Sequence, residues 1–168
     1  EGDYAASINI ISPTADPVAV PVTLTVTGDN LTPTLPNIDL SGSENGIVPL
    51  PDDVDPLFSA VASRYTHIVA PNEDLIQILI QDDFTTEQIL HARRVLESYL
   101  VDIPGSDWGS SKSLIANAIA TTNAILFLLN DESEYENQNL WTLIDSGVLG
   151  QDLLATEVHP EGSPAYMN

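Results

Sequence analysis

Between Tyr65 and Asn130 the spacing of apolar residues changes from a strand period to a helix period and back. Thr66–Ala70 and Leu75–Gln81 read as two strands joined by a turn at Pro71-Asn72-Glu73-Asp74. In the second of these, Ile76, Ile78 and Ile80 alternate with Leu75, Gln77, Leu79 and Gln81. Both alternating sets are largely apolar, which predicts a strand covered on both sides. From Thr85 the period lengthens. Thr85 and Gln88 stand three apart, the spacing of a capping box, and Ile89, Leu96 and Leu100, with Ala92, Val95 and Tyr99, form one apolar stripe. Glu87–His91 and Arg93–Glu97 are i,i+4 neighbours expected on the outer surface. Pro104-Gly105 ends this helix, and Ser110 or Ser111 caps a second. There Leu114, Ile115, Ala118 and Ile119 are expected to be buried. Ala124–Leu129 is unbroken apolar sequence and predicts a central strand.

The flanks differ. Tyr4, Ala6, Ile8 and Ile10 alternate with Ala5, Ser7, Asn9 and Ile11; Val20, Val22, Leu24 and Val26 alternate with Pro21, Thr23, Thr25 and Thr27. Period-2 order with β-branched residues predicts two strands, the second of them an edge at Pro17 and Pro21 because proline offers no N–H to a ladder. Residues 29–56 hold prolines and glycines at frequent intervals and keep no period, so they read as a linker with a short strand near Gly46–Leu50. Asp55 or Asp53 caps a short helix with Pro56 at its first position and Leu57, Phe58 and Val61 facing inward. Asn130–Asn139 reads as a loop, Leu140–Ile144 as helix, and 153–167 as an extended strand and turn. The predicted fold is α+β: a β-hairpin arm (1–28), a Pro/Gly-rich linker (29–56), and a globular domain (57–168) whose small mixed sheet packs with two to three helices.

Composition changes the picture through charge. Four basic residues face 25 acidic ones, a formal net charge of −21 in 168 residues. Such a surface repels phosphate backbones and anionic lipid, which argues against nucleic-acid and acidic-membrane partners. Cysteine is absent, so disulfides and thiolate metal sites are excluded. No stretch has the length of a membrane span. The single methionine is Met167 and the chain opens Glu1-Gly2-Asp3, which leads us to expect removal of an N-terminal segment and an extracellular or cell-surface location. Asn30-Leu31-Thr32 matches the N-glycosylation triplet, relevant only in a eukaryotic secretory setting.

Candidate chemistry is sparse. His67, His91 and His159 are far apart in sequence and fit no metal-binding spacing; Glu157-Val158-His159-Pro160-Glu161 brings ligand-type residues close together without a complete set. The Ser-rich stretch 105–113 has no Gly-x-Ser-x-Gly and no base beside it. Asp52-Asp53-Val54-Asp55, Asp82-Asp83 and 130–137 offer oxygen ligands outside any EF-hand pattern, so at most weak Ca²⁺ binding is expected, with no other cofactor and no catalytic or metal residues assigned.

Two resemblances refine the functional expectation. Glu1-Gly2-Asp3-Tyr4-Ala5-Ala6-Ser7-Ile8-Asn9-Ile10, followed by Pro21-Val22-Thr23-Leu24-Thr25-Val26-Thr27, resembles the last two strands of a bacterial extracellular immunoglobulin-like (BACON-type) domain. A whole sandwich of that kind needs about seven strands. Arg64-Tyr65-Thr66-His67-Ile68-Val69-Ala70-Pro71, Asp102-Ile103-Pro104-Gly105, Ala116-Asn117-Ala118, Leu128-Leu129-Asn130 and the stretch 161–168 are similar to the front half of a secreted bacterial zinc-metallopeptidase-like domain. The H-E-x-x-H helix that supplies two metal-binding histidines and the general base in such domains has no counterpart here, so that resemblance implies no activity. The expected function is a secreted, non-enzymatic structural module. It self-associates, or joins another protein chain, by β-strand complementation through Ile8, Ile10, Val20, Val22, Leu24 and Val26. The alternative expectation is a proteolytic fragment of a multidomain secreted protein that carries an Ig-like domain and an incomplete metallopeptidase-like domain.

Overall fold

A computed structural model describes residues 2–12, 15–26, 32–107 and 109–159. The chain divides into two compact units, Glu1–Leu31 and Thr32–Asn168. In the first, β1 (Gly2–Ser12) and β2 (Ala15–Val26) form an antiparallel two-stranded sheet, in register from Gly2↔Val26 to Ile10↔Val18. Pro21 lies opposite Ser7.

The second unit is α+β. Its five-stranded sheet runs β3 (Val48–Pro49), β4 (Arg64–Val69), β5 (Leu75–Ile80), β6 (Ile125–Leu129), β7 (Gly150–Leu154). The first three strands are antiparallel, and β5, β6 and β7 are parallel. Four α-helices accompany it: α1 (Pro56–Ser59), α2 (Thr86–Leu100), α3 (Lys112–Thr121) and α4 (Gln138–Asp145). A 3₁₀ turn, Glu132–Glu136, occupies the stretch expected to be loop.

Two apolar layers sandwich the sheet. On one face Ile68, Ile76, Ile78, Ile80 and Leu128 pack with Ile89 and Ala92 of α2 and Ala116 and Ala120 of α3. On the other, Tyr65, Leu79, Phe127 and Leu129 pack with Phe58 of α1, Leu140 and Leu143 of α4, and Leu35 and Ile38. The five residues from Ile76 to Ile80 are all buried, as two-sided apolar patterning requires. The sequence similarly anticipates the cap of α2. Gln88 N donates to Thr85 Oγ1 (3.2 Å), and Thr85 N donates to Gln88 Oε1 (2.9 Å). Gln88 Nε2 also donates to the carbonyls of Ala155 (3.0 Å) and Val158 (3.2 Å), so one side chain caps α2 and ties down the chain after β7.

Three expectations are corrected. The stretch expected to be a linker, 29–56, is mostly part of the second unit: the division falls after Leu31, and Leu35, Ile38 and Val54 are buried. Isolated apolar residues between turns leave no period, yet each buries as much surface as one in a helix. On α3 the buried face is Ala116 and Ala120, while Leu114 (67%) and Ile115 (56%) are exposed. Small alanines let a helix backbone come close to a sheet, and that close approach outweighs the larger aliphatics on the opposite side. On α2, Val95 and Tyr99 are exposed, and Arg93 turns inward instead of standing on the outer surface. Its Nη1 donates to the Asn45 carbonyl and to Thr66 Oγ1, both at 3.1 Å, which fastens the segment before β3 to the sheet. Arg93 Nε still lies 3.8 Å from Glu97 Oε1.

The two parallel crossovers step in the same direction along the sheet but lie on opposite faces, α2 and α3 on one and α4 on the other. They therefore have opposite hands, and one is the uncommon left-handed kind. Among the described residues, no helix is long and apolar enough to cross a membrane.

Gly150 opens β7 with the Phe127 ring in the space a Cβ would occupy. Gly150→Ala forces that ring or the edge strand to shift. The expected cost is about 1–3 kcal/mol, the range for overpacking, read as a lowered denaturant midpoint. An unchanged midpoint would contradict the packing described.

Candidate interaction surfaces

The register of the first unit sets Ile8 opposite Val20, Ile10 opposite Val18, Val22 opposite Ala6, Leu24 opposite Tyr4 and Val26 opposite Gly2. The six residues expected to mediate association thus occupy one alternating set of ladder positions. Among the described residues each strand pairs only with the other, so each keeps an unpaired outer edge. Open edges of this kind are templates for strand addition.

In the second unit, polar groups gather where β5 and β6 end, at the carboxyl side of parallel strands, where α/β sheets commonly hold ligands. Ser63 Oγ donates to Asp82 Oδ1 (2.5 Å), Asp83 N to Asn130 Oδ1 (3.0 Å), and Asn130 N to Gln81 Oε1 (2.7 Å). Gln81 Nε2 donates to the Val61 carbonyl (3.1 Å) and Glu134 Oε2 (2.8 Å). Arg64 Nη2 donates to the carbonyls of Gln81 (2.5 Å), Asp82 (3.0 Å) and Phe84 (2.9 Å). A cavity of about 200 Å³ opens beside Ser63, Asp82 and Asn130. The hydroxyl of Ser63 meets a carboxylate and no imidazole. These bonds join the end of α1, two strand ends and the 3₁₀ turn, a structural role.

The histidines stand on different elements: His67 on β4, His91 on α2 and His159 beyond β7. Among the described residues, no three His, Cys, Asp or Glu side chains form a metal-binding group. Three of the oxygen ligands considered for Ca²⁺ serve local structure. Asp55 Oδ1 accepts from Leu57 N (2.9 Å) to cap α1, Asp131 Oδ1 accepts from Ser133 N (2.7 Å) to cap the 3₁₀ turn, and Asn137 Oδ1 accepts from Asn139 N (3.0 Å) to cap α4. Hydrogen bonds from Ser133 hold the Asp131 carboxyl below the usual carboxylate range. Glu157 Oε2 accepts from Leu154 N (2.9 Å). In the Ser-rich loop, Ser113 N and Oγ both donate to Asp102, at 2.8 Å each, which keeps that carboxyl ionised to lower pH than usual.

Sequence patterning missed a cavity of about 450 Å³ between β4, α2 and α3, lined by His67, Ile68, Val69, Glu97, Leu100 and Ala116. The one sequence signal for it is the run of small residues on α3, which brings that helix close to the sheet. His67 packs edge-to-face on Tyr65 with ring centroids 5.7 Å apart. His67 Nδ1 and the Tyr65 hydroxyl are both buried without a hydrogen-bond partner. Burial, and then the nearby Arg93 charge, hold the His67 pKa below its ordinary value, and burial raises that of Tyr65.

Comparison with protein-family models, with curated proteins and with solved structures finds no match to this chain.

The folded state keeps His67 neutral, so its contribution to stability is full above the unfolded histidine pKa of about 6.5. It is lost as pH falls from there through the lower folded value. Thermal unfolding from pH 7 to pH 5 should show the melting temperature of the parent chain falling more than that of a His67→Gln variant. Equal slopes would mean that this imidazole does not titrate as its surroundings require.

Proposed function

We propose that the chain is a secreted, non-enzymatic structural module that associates with copies of itself, or with another protein chain, through strand addition at its N-terminal hairpin. The observation that carries this reading is the two-stranded sheet β1–β2, in which each strand has an unpaired outer edge. A solitary two-stranded sheet is marginal in water, and a third strand with an apolar face is the usual remedy. Charge supports the same reading. Residues 1–28 hold three of the 25 acidic residues, Glu1, Asp3 and Asp16, so the arm is where copies of a strongly anionic chain meet with least repulsion. The second unit has its own two-layer core and needs no strand from the arm. The absence of cysteine fits an exported protein that folds without disulfides.

Sedimentation velocity over a wide concentration range tests the proposal. The full chain should form larger species as concentration rises. A chain lacking residues 1–27, and the double variant Ile8→Lys/Val20→Lys, should stay monomeric. Ile8 and Val20 are directly opposed, and like charges at such a pair weaken strand pairing. A full chain that is monomeric throughout, or assembly unaffected by either change, would remove the basis for the reading.

A further inference from the structure

An aromatic cleft lies on the second unit, between the 3₁₀ turn, α4 and β7. A cavity of about 90 Å³ there is lined by Phe127, Tyr135, Trp141, Ile144, Gln151 and Asp152 among others. That volume is far below the roughly 300–1,000 Å³ of pockets that enclose a whole small molecule. It suits a single headgroup. Tyr135 and Trp141 are 44% and 43% exposed, and both stand at this cavity. Their polar ends are already occupied. Trp141 Nε1 donates to the Tyr135 carbonyl (2.6 Å), and the Tyr135 hydroxyl donates to Asp152 Oδ2 (2.6 Å). Both rings are thereby fixed in place, and what they leave for a visitor is their π-faces. Gly150 keeps the floor low, since the Phe127 ring fills the position of its absent Cβ.

The electrostatics point one way. The bond to Asp152, followed by burial and the charges of Asp152, Glu157 and Glu132, pushes the Tyr135 pKa up to about 12. Negative potential therefore converges on the aromatic walls. The charges that act on Tyr135 are all acidic, and the chain after Lys112 holds eight acidic residues and no Lys or Arg.

We propose that this cleft binds an organic cation, an alkylammonium headgroup held against the Trp141 and Tyr135 rings with Asp152 as its counter-ion. Aromatic faces beside a carboxylate are the established chemistry for such groups. A methylated ammonium suits the site better than a primary one. It has no N–H groups to satisfy, and both Asp152 carboxylate oxygens already accept hydrogen bonds, from the Tyr135 hydroxyl (2.6 Å) and from Gln151 Nε2 (3.3 Å). Anionic ligands such as nucleotides are disfavoured by the same field. The headgroup has two possible sources, a free quaternary ammonium compound or a methylated lysine side chain, and the test separates them.

Titration of the full chain with choline, followed by the Trp141 indole N–H signal and by calorimetry at constant ionic strength, provides the measurement. Choline should bind saturably, and 3,3-dimethylbutan-1-ol, its uncharged isostere, at least about tenfold more weakly. Trp141→Ala and Asp152→Asn should each weaken choline binding about tenfold or more, while Asp107→Asn, remote in sequence, should leave it unchanged. A short peptide with trimethyllysine that binds well above choline identifies a protein partner as the source; binding equal to or below choline identifies the free compound. Because the choline–isostere comparison uses the unaltered chain, loss of folding in a variant cannot obscure it. Equal binding of choline and its isostere, no saturable binding of either choline or the peptide, or an effect of Asp107→Asn as large as that of Asp152→Asn would overturn the proposal.

Discussion

The second unit depends on one constraint: β5 carries apolar side chains on both faces, and each face needs a cover. Ile76, Ile78 and Ile80 point to the layer formed by α2 and α3, and Leu79 to the layer formed by α1 and α4. Each such side chain, fully buried, contributes about 1.5–3 kcal/mol, so neither face is dispensable. The cover on the second face is assembled from short pieces, one turn of α1, two turns of α4, and the extended stretch that buries Leu35 and Ile38. Buried glutamines on and just after the strand tie neighbouring segments to it. Gln77 Nε2 donates to the Leu35 carbonyl (3.3 Å), and Gln81 bonds to the Val61 carbonyl, Glu134 and the Asn130 amide.

Covering the second face with α4 has a topological consequence. The crossover from β5 to β6 passes over the opposite face, so the step from β6 to β7 must take the other hand. The strand reached in this way is an edge, and it approaches closely enough that Phe127 occupies the space above Gly150. The same approach brings Asp152 beside Tyr135. The aromatic cleft is thus a product of how the sheet is closed at β7, with Trp141 and Ile144 of α4 along one side.

Much of this architecture was legible in the sequence. The capping box at Thr85 and Gln88, the two-faced strand Leu75–Ile80 and the apolar run before Asn130 each carry a local signal stronger than any competing one. What patterning missed depends on tertiary context. The phase of α3 is set by how near a helix can come to a sheet, and a hydrophobic stripe that favours Leu114 and Ile115 over alanine reads it backwards. Leu35 and Ile38 carry no period because each acts alone. The candidate sites were harder still. Of the carboxylates that suggested Ca²⁺, Asp55 and Asp131 cap helical turns, and the aromatic cleft joins residues 127, 135, 141 and 152 from four separate elements.

The charge imbalance also takes a different meaning once the basic side chains are located. Arg64 is used on three backbone carbonyls, Arg93 on a carbonyl and a hydroxyl, and Lys112 lies 5.8 Å over the Tyr99 ring. These cations serve the fold, and a single Lys/Arg–carboxylate ion pair, Arg93–Glu97, is formed among the described residues. The acidic surface is therefore almost wholly uncompensated from within. Any partner of the second unit gains most by bringing positive charge, and any assembly of identical copies gains most by meeting where the acids are fewest. The first condition points to the aromatic cleft and the second to the N-terminal strands. Under the two proposals, the same imbalance assigns each surface a different kind of partner.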